Sequence, residues 1–282
     1  MLRHCSTLAH FGHRLIEQGV PHVWRQQALP RFTTIAVFAA TLALWWLASR
    51  LGWVSAFLLP GPGTVAETLG ELIASGELLR HTLVSLRRVA LGYLLAIAFA
   101  VPLALLFVLS RRLRALFEPL LEFLRQIPPL ALMPLLMLWL GIGETQKVGI
   151  IILSCFFPIF LGVRGGFDSV DRKLIDVGTV CGFSRPEIML RIVLPSALPA
   201  IVVGLRIGLG YSWRALVGAE LIASSAGLGY MIVDAENLAR TDIVLAGILV
   251  IGVLGLLADH LLRFAIRRSA PWLSGDLEMA RA

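Results

Sequence analysis

Residues 170–195 read VDRKLIDVGTVCGFSRPEIMLRIVLP, a polar interruption between two apolar segments. Val170, Leu174, Ile175, Val177 and Val180 recur at roughly helical spacing. Gly182 stands where helices commonly end. Ser184, followed three positions later by Glu187, has the spacing of a capping box, and Pro186 suits a first helical turn. The pattern predicts a helix from Val170 to Cys181, a glycine hinge, and a second, very short helix over about 185–191. Pro195 and Pro199 are expected to stop the chain there and redirect it. Two short helices of this kind either rest on a lipid surface or dock on a partner.

What lies on either side of the hairpin, which occupies residues 164–197, is apolar. Windows free of charge run over 32–49, 89–110, 126–143, 148–163 and 243–258, and a sixth segment, about 196–220, is interrupted by Arg206 and Arg214. The 282 residues are 57% apolar and 15% charged, with a mean hydropathy of +0.83, whereas a soluble domain carries about 25% charge. The expected fold class is an all-α polytopic membrane protein with six transmembrane helices, whose flanking arginines snorkel to extend the shorter windows. Seventeen of the basic residues fall on one side of that arrangement and six on the other, which predicts that both termini are cytoplasmic. The net charge of +7 follows this topology and forms no single basic face, so nucleic acid is not an expected partner.

The remaining features organise the chain further. Residues 1–31 read as a basic cytoplasmic tail, 32–79 as the first span with a short outer-surface helix, and 266–282 as a cytoplasmic C-terminal tail. The outer helix is expected over about 65–75, after the turn Pro60-Gly61-Pro62-Gly63, with Thr64 and Glu67 at capping-box spacing. Pro102, Pro128, Pro129, Pro134, Pro158 and Pro199 fall within spans, where they kink helices along a solute path or are simply tolerated. Cys5, Cys155 and Cys181 form no CxxC pair and read as small buried hydrophobes. His10 and His13 are too loosely spaced to suggest a metal site.

No catalytic pattern of the H-E-x-x-H or G-x-S-x-G type occurs, and neither Lys147 nor Lys173, the only lysines, sits in a phosphate-binding loop. No cofactor, metal or catalytic residue is expected. The intramembrane charges are the exception to a bland reading. Arg206 lies roughly 15 Å along the fifth span at 1.5 Å per residue. Arg206, Arg214 and Glu220 are therefore candidates for a solute path, against a structural pairing of Arg206 with Glu220 or with backbone carbonyls.

Here the chain resembles a known family. Asp176-Val177-Gly178, then Gly182, then Ile192-Val193-Leu194-Pro195 is similar to the permease loop pattern E-A-A, three residues, G, nine residues, I-x-L-P. The departure is in the first triplet, where Asp stands for Glu and Val-Gly for Ala-Ala. Leu124 to Ala131, Gly204 to Ile207, Ala219-Glu220-Leu221, Ser225 to Tyr230 and Arg240 to Ile243 extend the likeness over about 80–265. Together they resemble the ABC importer permeases of the sulfonate, taurine and nitrate group.

The resemblance implies a type I ABC importer permease fold, with a core at 80–265 in a multi-pass protein of the cell membrane. It implies a second permease subunit, expected as a homodimer, cytoplasmic ATP-binding ABC subunits and an extracytoplasmic solute-binding protein, all within a lipid bilayer. Asp176, Gly182, Ser184, Arg185, Glu187, Arg191, Ile192, Leu194 and Pro195 would then couple to the ATPase, with 184–191 as a lever. An aliphatic sulfonate or taurine leads as solute, followed by nitrate and a thiamine-precursor pyrimidine. An ATP-independent secondary transporter is a less favoured alternative, since no half-to-half repeat is evident, and a scaffold that only anchors partners is a third.

Overall fold

The computed structural model describes residues 31–222 and 224–269. The tail assigned to 1–31 therefore lies, but for Arg31, outside the described residues, as do Cys5, His10 and His13; the C-terminal tail is described only to Ser269. The chain divides into two compact units between Ala43 and Leu44. Each stands by itself, and the account below concerns the second.

In chain order the helices are α1 (Arg31–Arg50), α2 (Pro62–Ala74), α3 (Glu77–Leu109), α4 (Arg111–Arg125), α5 (Met133–Leu140), α6 (Glu144–Asp168), α7 (Arg172–Val180), α8 (Arg185–Ile188), α9 (Leu194–Ile222), α10 (Leu228–Asn237) and α11 (Thr241–Ser269). A 3-10 turn, Pro129–Leu132, precedes α5, and a π-turn, Met189–Val193, joins α8 to α9. Among the described residues, four helical stretches are long and apolar enough to cross a membrane: α3, α6, the continuous run Arg185–Ile222, and α11. A fifth span results if α4 and Pro129–Leu140 are one bent pair.

Four expectations change. Cys155 is buried as expected, but Cys181 is exposed. The window 126–143 is not one straight span: Arg111–Arg125 is itself helical and bends by 87° into Pro129–Leu140. Pro128 sits in the break and Pro129 opens the 3-10 turn after it, and neither can donate a helical hydrogen bond. The outer helix begins at Pro62, with Gly61 as its N-cap. Thr64 lies inside it and is not its N-cap, so the Thr64–Glu67 box does not form. Pro195 does not stop the chain either. The π-turn carries the Leu194 N–H to the Met189 carbonyl, and Pro195 enters α9 within its first turn.

The core rests on small side chains. On α3, Gly92, Ala96, Ala100 and Ala104 repeat every four residues and are buried against α6. On α6, Gly162 and Gly166 face Gly204 and Ala197 of α9. A Cβ on Gly204 would sit 2.6 Å from the Gly162 Cα, so only glycine permits this backbone approach. Lipid tails are as apolar as leucine, so helices in a bilayer gain from close backbone contact rather than from leaving water. Larger groups fill the gaps: Phe107 and Phe160 meet edge to face at 5.4 Å, and Trp213 Nε1 donates to the Ile251 carbonyl at 3.0 Å.

Around this core, α2 and α10 pack with α11, bringing Val65, Leu72, Leu228, Met231 and Ala246 together. The Thr68 hydroxyl donates to Asp242 at 2.9 Å and pins α2 to the start of α11. Gly204→Val is expected to cost about 1–3 kcal/mol through overpacking and to lower the thermal unfolding midpoint in detergent. Gly252→Ala, where an added Cβ meets nothing within 4 Å, should leave the midpoint unchanged.

Candidate functional site

The projecting segment is built from its own side chains. Asp171 caps α7 by accepting from the Lys173 N–H at 2.9 Å. Gly182 closes it at φ +78°, a left-handed conformation that suits glycine. Ser184 then opens α8 with its backbone N–H and hydroxyl both donating to Glu187 Oε2, at 2.9 and 2.8 Å, in a capping box. Arg191 reaches back toward Glu187 at 3.7 Å and lies 5.4 Å from the Phe183 ring centre.

The two halves of the loop pattern touch. A Cβ added to Gly178 would lie 2.6 Å from Ile192 Cδ1 and 3.2 Å from Ile188 Cγ1. The third residue of the triplet must therefore be small because the isoleucine of I-x-L-P packs on it. Asp176 is exposed and forms no ion pair in the structure. Val177, Val180 and Leu190 are exposed too, Val180 at 88%. Arg185 is exposed beside them. Leu194 and Pro195 begin α9 itself.

The Ser184 N–H donated to Glu187 holds that carboxyl below the ordinary glutamate value. The cap is therefore at full strength above the unfolded-state pKa and is lost as pH falls through the lower, folded one. Amide exchange at Ser184 should stay slow from neutral pH to below the ordinary glutamate value of about 4.3 and then accelerate. In Glu187→Ala it should be fast throughout.

A cavity of about 710 Å³ opens between α6, α9 and the bend after α4. Its walls are mostly apolar, with Phe157, Pro158, Leu161 and Ile207 among them. Three polar side chains line it: Arg125, Ser154 and Tyr211. Arg125 is half engaged by Glu122 at 2.6 Å. Ser154 is buried. Arg125 flanks the window 126–143 and lies within the Leu124 to Ala131 likeness, but no cavity role is expected of it there; the 87° bend follows it directly.

The three path candidates are not gathered at one place. Arg206 and Arg214 line a neighbouring cleft that shares Val203, Ile207 and Tyr211 with the cavity wall. Arg206 pairs with Asp259 of α11 at 3.1 Å, not with Glu220 or a carbonyl. Arg214 lies 5.4 Å from the Tyr211 ring centre. Glu220 is elsewhere, buried at the far end of α9, with Arg88 Nη1 donating to it at 2.7 Å. The Ser85 hydroxyl donates at 2.8 Å and the Gly229 N–H at 2.8 Å.

This cluster holds the loop before α10. Gly227 N–H donates to His81 Nδ1 at 3.0 Å, Leu228 N–H to Ser85 Oγ at 2.9 Å, and Arg88 Nη1 to the Ala226 carbonyl at 2.6 Å. Arg88 Nε also donates to Glu144, at the start of α6, at 2.7 Å. Removing one member of a buried pair strands the other, so Glu220→Gln should destabilise the protein by about 3 kcal/mol or more. Glu144 is 64% exposed, and Glu144→Gln should cost no more than about 1 kcal/mol. Thermal unfolding in detergent, compared across the two variants, checks the order.

Comparisons with known proteins agree with one another. The family described as "Binding-protein-dependent transport system inner membrane component" matches residues 90–270. A relative named for aliphatic sulfonates transport, the permease SsuC of Bacillus subtilis (strain 168), is 41% identical over 83% of this chain and 85% of its own. The taurine transport system permease TauC of Escherichia coli (strain K12) is 38% identical over 88% of this chain and 93% of its own. Among solved structures, the inward-facing MetNI methionine ABC transporter superposes with a TM-score of 0.58 at 17% identity, covering 71% of this chain and 98% of that one. An amino acid ABC transporter with histidines gives 0.59 at 15%, covering 71% and 97%. The two structures speak for the fold.

Proposed function

The chain belongs to the family of inner membrane components of binding-protein-dependent transport systems, and from that premise we propose that it is the permease subunit of an ATP-driven importer for an aliphatic sulfonate, taurine included. One observation carries the reading. The Ser184-capped turn, the π-turn and α9 form one continuous helical rod of 38 residues, Arg185–Ile222. At 1.5 Å per residue it is about 57 Å long. One end presents the capped turn beside exposed Val177, Val180 and Leu190, the middle walls the cavity, and the far end is locked through Glu220. A push on the turn is thereby delivered to the cavity wall.

The push comes from ATP-binding subunits on separate chains, since neither lysine of this one sits in a phosphate-binding loop. A second copy of the chain completes the path, and an extracytoplasmic binding protein delivers the solute. The protein spans six times, α1 and the bent α4–α5 pair included, with both termini in the cytoplasm. The sulfonate assignment draws on the names of the two relatives above and on the cavity. An apolar wall suits the alkyl part of such a solute, and Arg125, Ser154 and Tyr211 offer a charge and two hydroxyls to its anionic head. Arg206 is spoken for by Asp259, which leaves Arg214 as the cation at the rim.

Co-reconstitution with its ATPase and binding protein in proteoliposomes should give taurine or alkanesulfonate accumulation only with ATP. Accumulation against a gradient without the ATPase would overturn the importer reading. Arg125→Gln should slow uptake about tenfold by removing a charge-assisted hydrogen bond, with ATP hydrolysis retained. Ser184→Ala together with Glu187→Ala should instead uncouple the two, so that hydrolysis continues and uptake falls.

A further inference from the structure

We propose that the outward face of α11 near its C-terminus is a binding site for the phosphate of an anionic phospholipid. The stripe Val253, Leu256, Leu257, His260, Arg263, Arg267 follows i, i+3, i+4, i+7 spacing and so runs along one face. Its upper half is apolar and exposed, with Leu256 at 72%. Its lower half is basic. The change occurs within one turn.

A shallow cavity of about 240 Å³ lies at the basic end, lined by His260, Arg263, Phe264 and Arg267. The charges there are not balanced. Asp259 is the only acid between Thr241–Asp242 and Ser269, and it is already shared by Arg206 and Arg263, each at 3.1 Å. Arg263 Nε is buried without a hydrogen-bond partner. His260 and Arg267 are exposed and make no ion pair.

Depth fits as well. About 20 residues cross the hydrocarbon, so a helix entering at Thr241 leaves it near His260, and the basic turn falls at headgroup level. Guanidinium groups bind phosphate oxygens in fork geometry. An occupant matched to the whole stripe is anionic at one end and apolar along the rest. A free phosphate would fill only the lower half. The proposal rests on the membrane reading and not on the identity of the transported solute.

The test uses the full chain purified in neutral detergent, offered phosphatidylglycerol, phosphatidylcholine or inorganic phosphate, with lipid retention read by native mass spectrometry. The wild type should retain phosphatidylglycerol over phosphatidylcholine by about tenfold. The double variant His260→Gln/Arg267→Gln, which leaves the Arg206–Asp259–Arg263 bridge in place, should lose that preference while its unfolding midpoint in detergent stays the same. Equal retention of both lipids by the wild type, an undiminished preference in the variant, or ready displacement of the lipid by inorganic phosphate at matched ionic strength would each overturn the assignment. None of these results bears on ATP-dependent uptake, so the two readings fail separately.

Discussion

The ion pair between Arg88 and Glu220 is the constraint on which the rest of the structure depends. Both side chains are withdrawn from solvent, Glu220 almost wholly. A lone charge in such a place is costly, and the cost is met only when every lone pair and proton is matched. Glu220 accepts from a guanidinium, a hydroxyl and a backbone N–H, while Arg88 also reaches Glu144 and the Ala226 carbonyl. The first turns of α3, the last turns of α9, the start of α6 and the loop before α10 are thus tied together.

At the opposite end of α6 the ties are different in kind. Arg164 and Arg114 bridge Glu118 and Asp168 between α4 and α6, and these groups are partly in contact with solvent. Bridges of this sort are weak individually and exchange partners readily. Glycine-to-glycine contact between α6 and α9 lies between the two ends. There the two backbones touch with no side chain between them. The buried Arg88–Glu220 pair, the glycine contact and the half-exposed bridges thus follow one another along the helices.

Much of this was legible in the residues. The hairpin was readable because Gly182, Ser184 and Glu187 act locally: a left-handed turn and a capping box need only their own neighbours. The apolar windows marked the long helices for the same reason. What required tertiary contact was not legible. Thr64 and Glu67 have the right spacing for a cap, yet Pro62 starts the helix earlier. Arg206 was assigned no partner on α11, because Asp259 is 53 positions away. Arg125 reads as a flank until the Pro128-Pro129 bend turns it inward. The four-residue repeat of Gly92, Ala96, Ala100 and Ala104 was present in the sequence all along; its meaning appears only when α6 is seen lying in it.

The π-turn at Met189–Val193 has a consequence for how this protein can vary. Such a turn accommodates an extra residue beyond an α-helical path, here directly before Pro195. It also sets the angular phase between the capped turn and Tyr211, two features on the same rod. Losing one residue there would rotate one relative to the other by about 100°. The capped turn and the side of α9 turned to the cavity would then no longer keep their present relation. Side chains along this stretch can drift, but its length cannot change by a single residue without misaligning the machine.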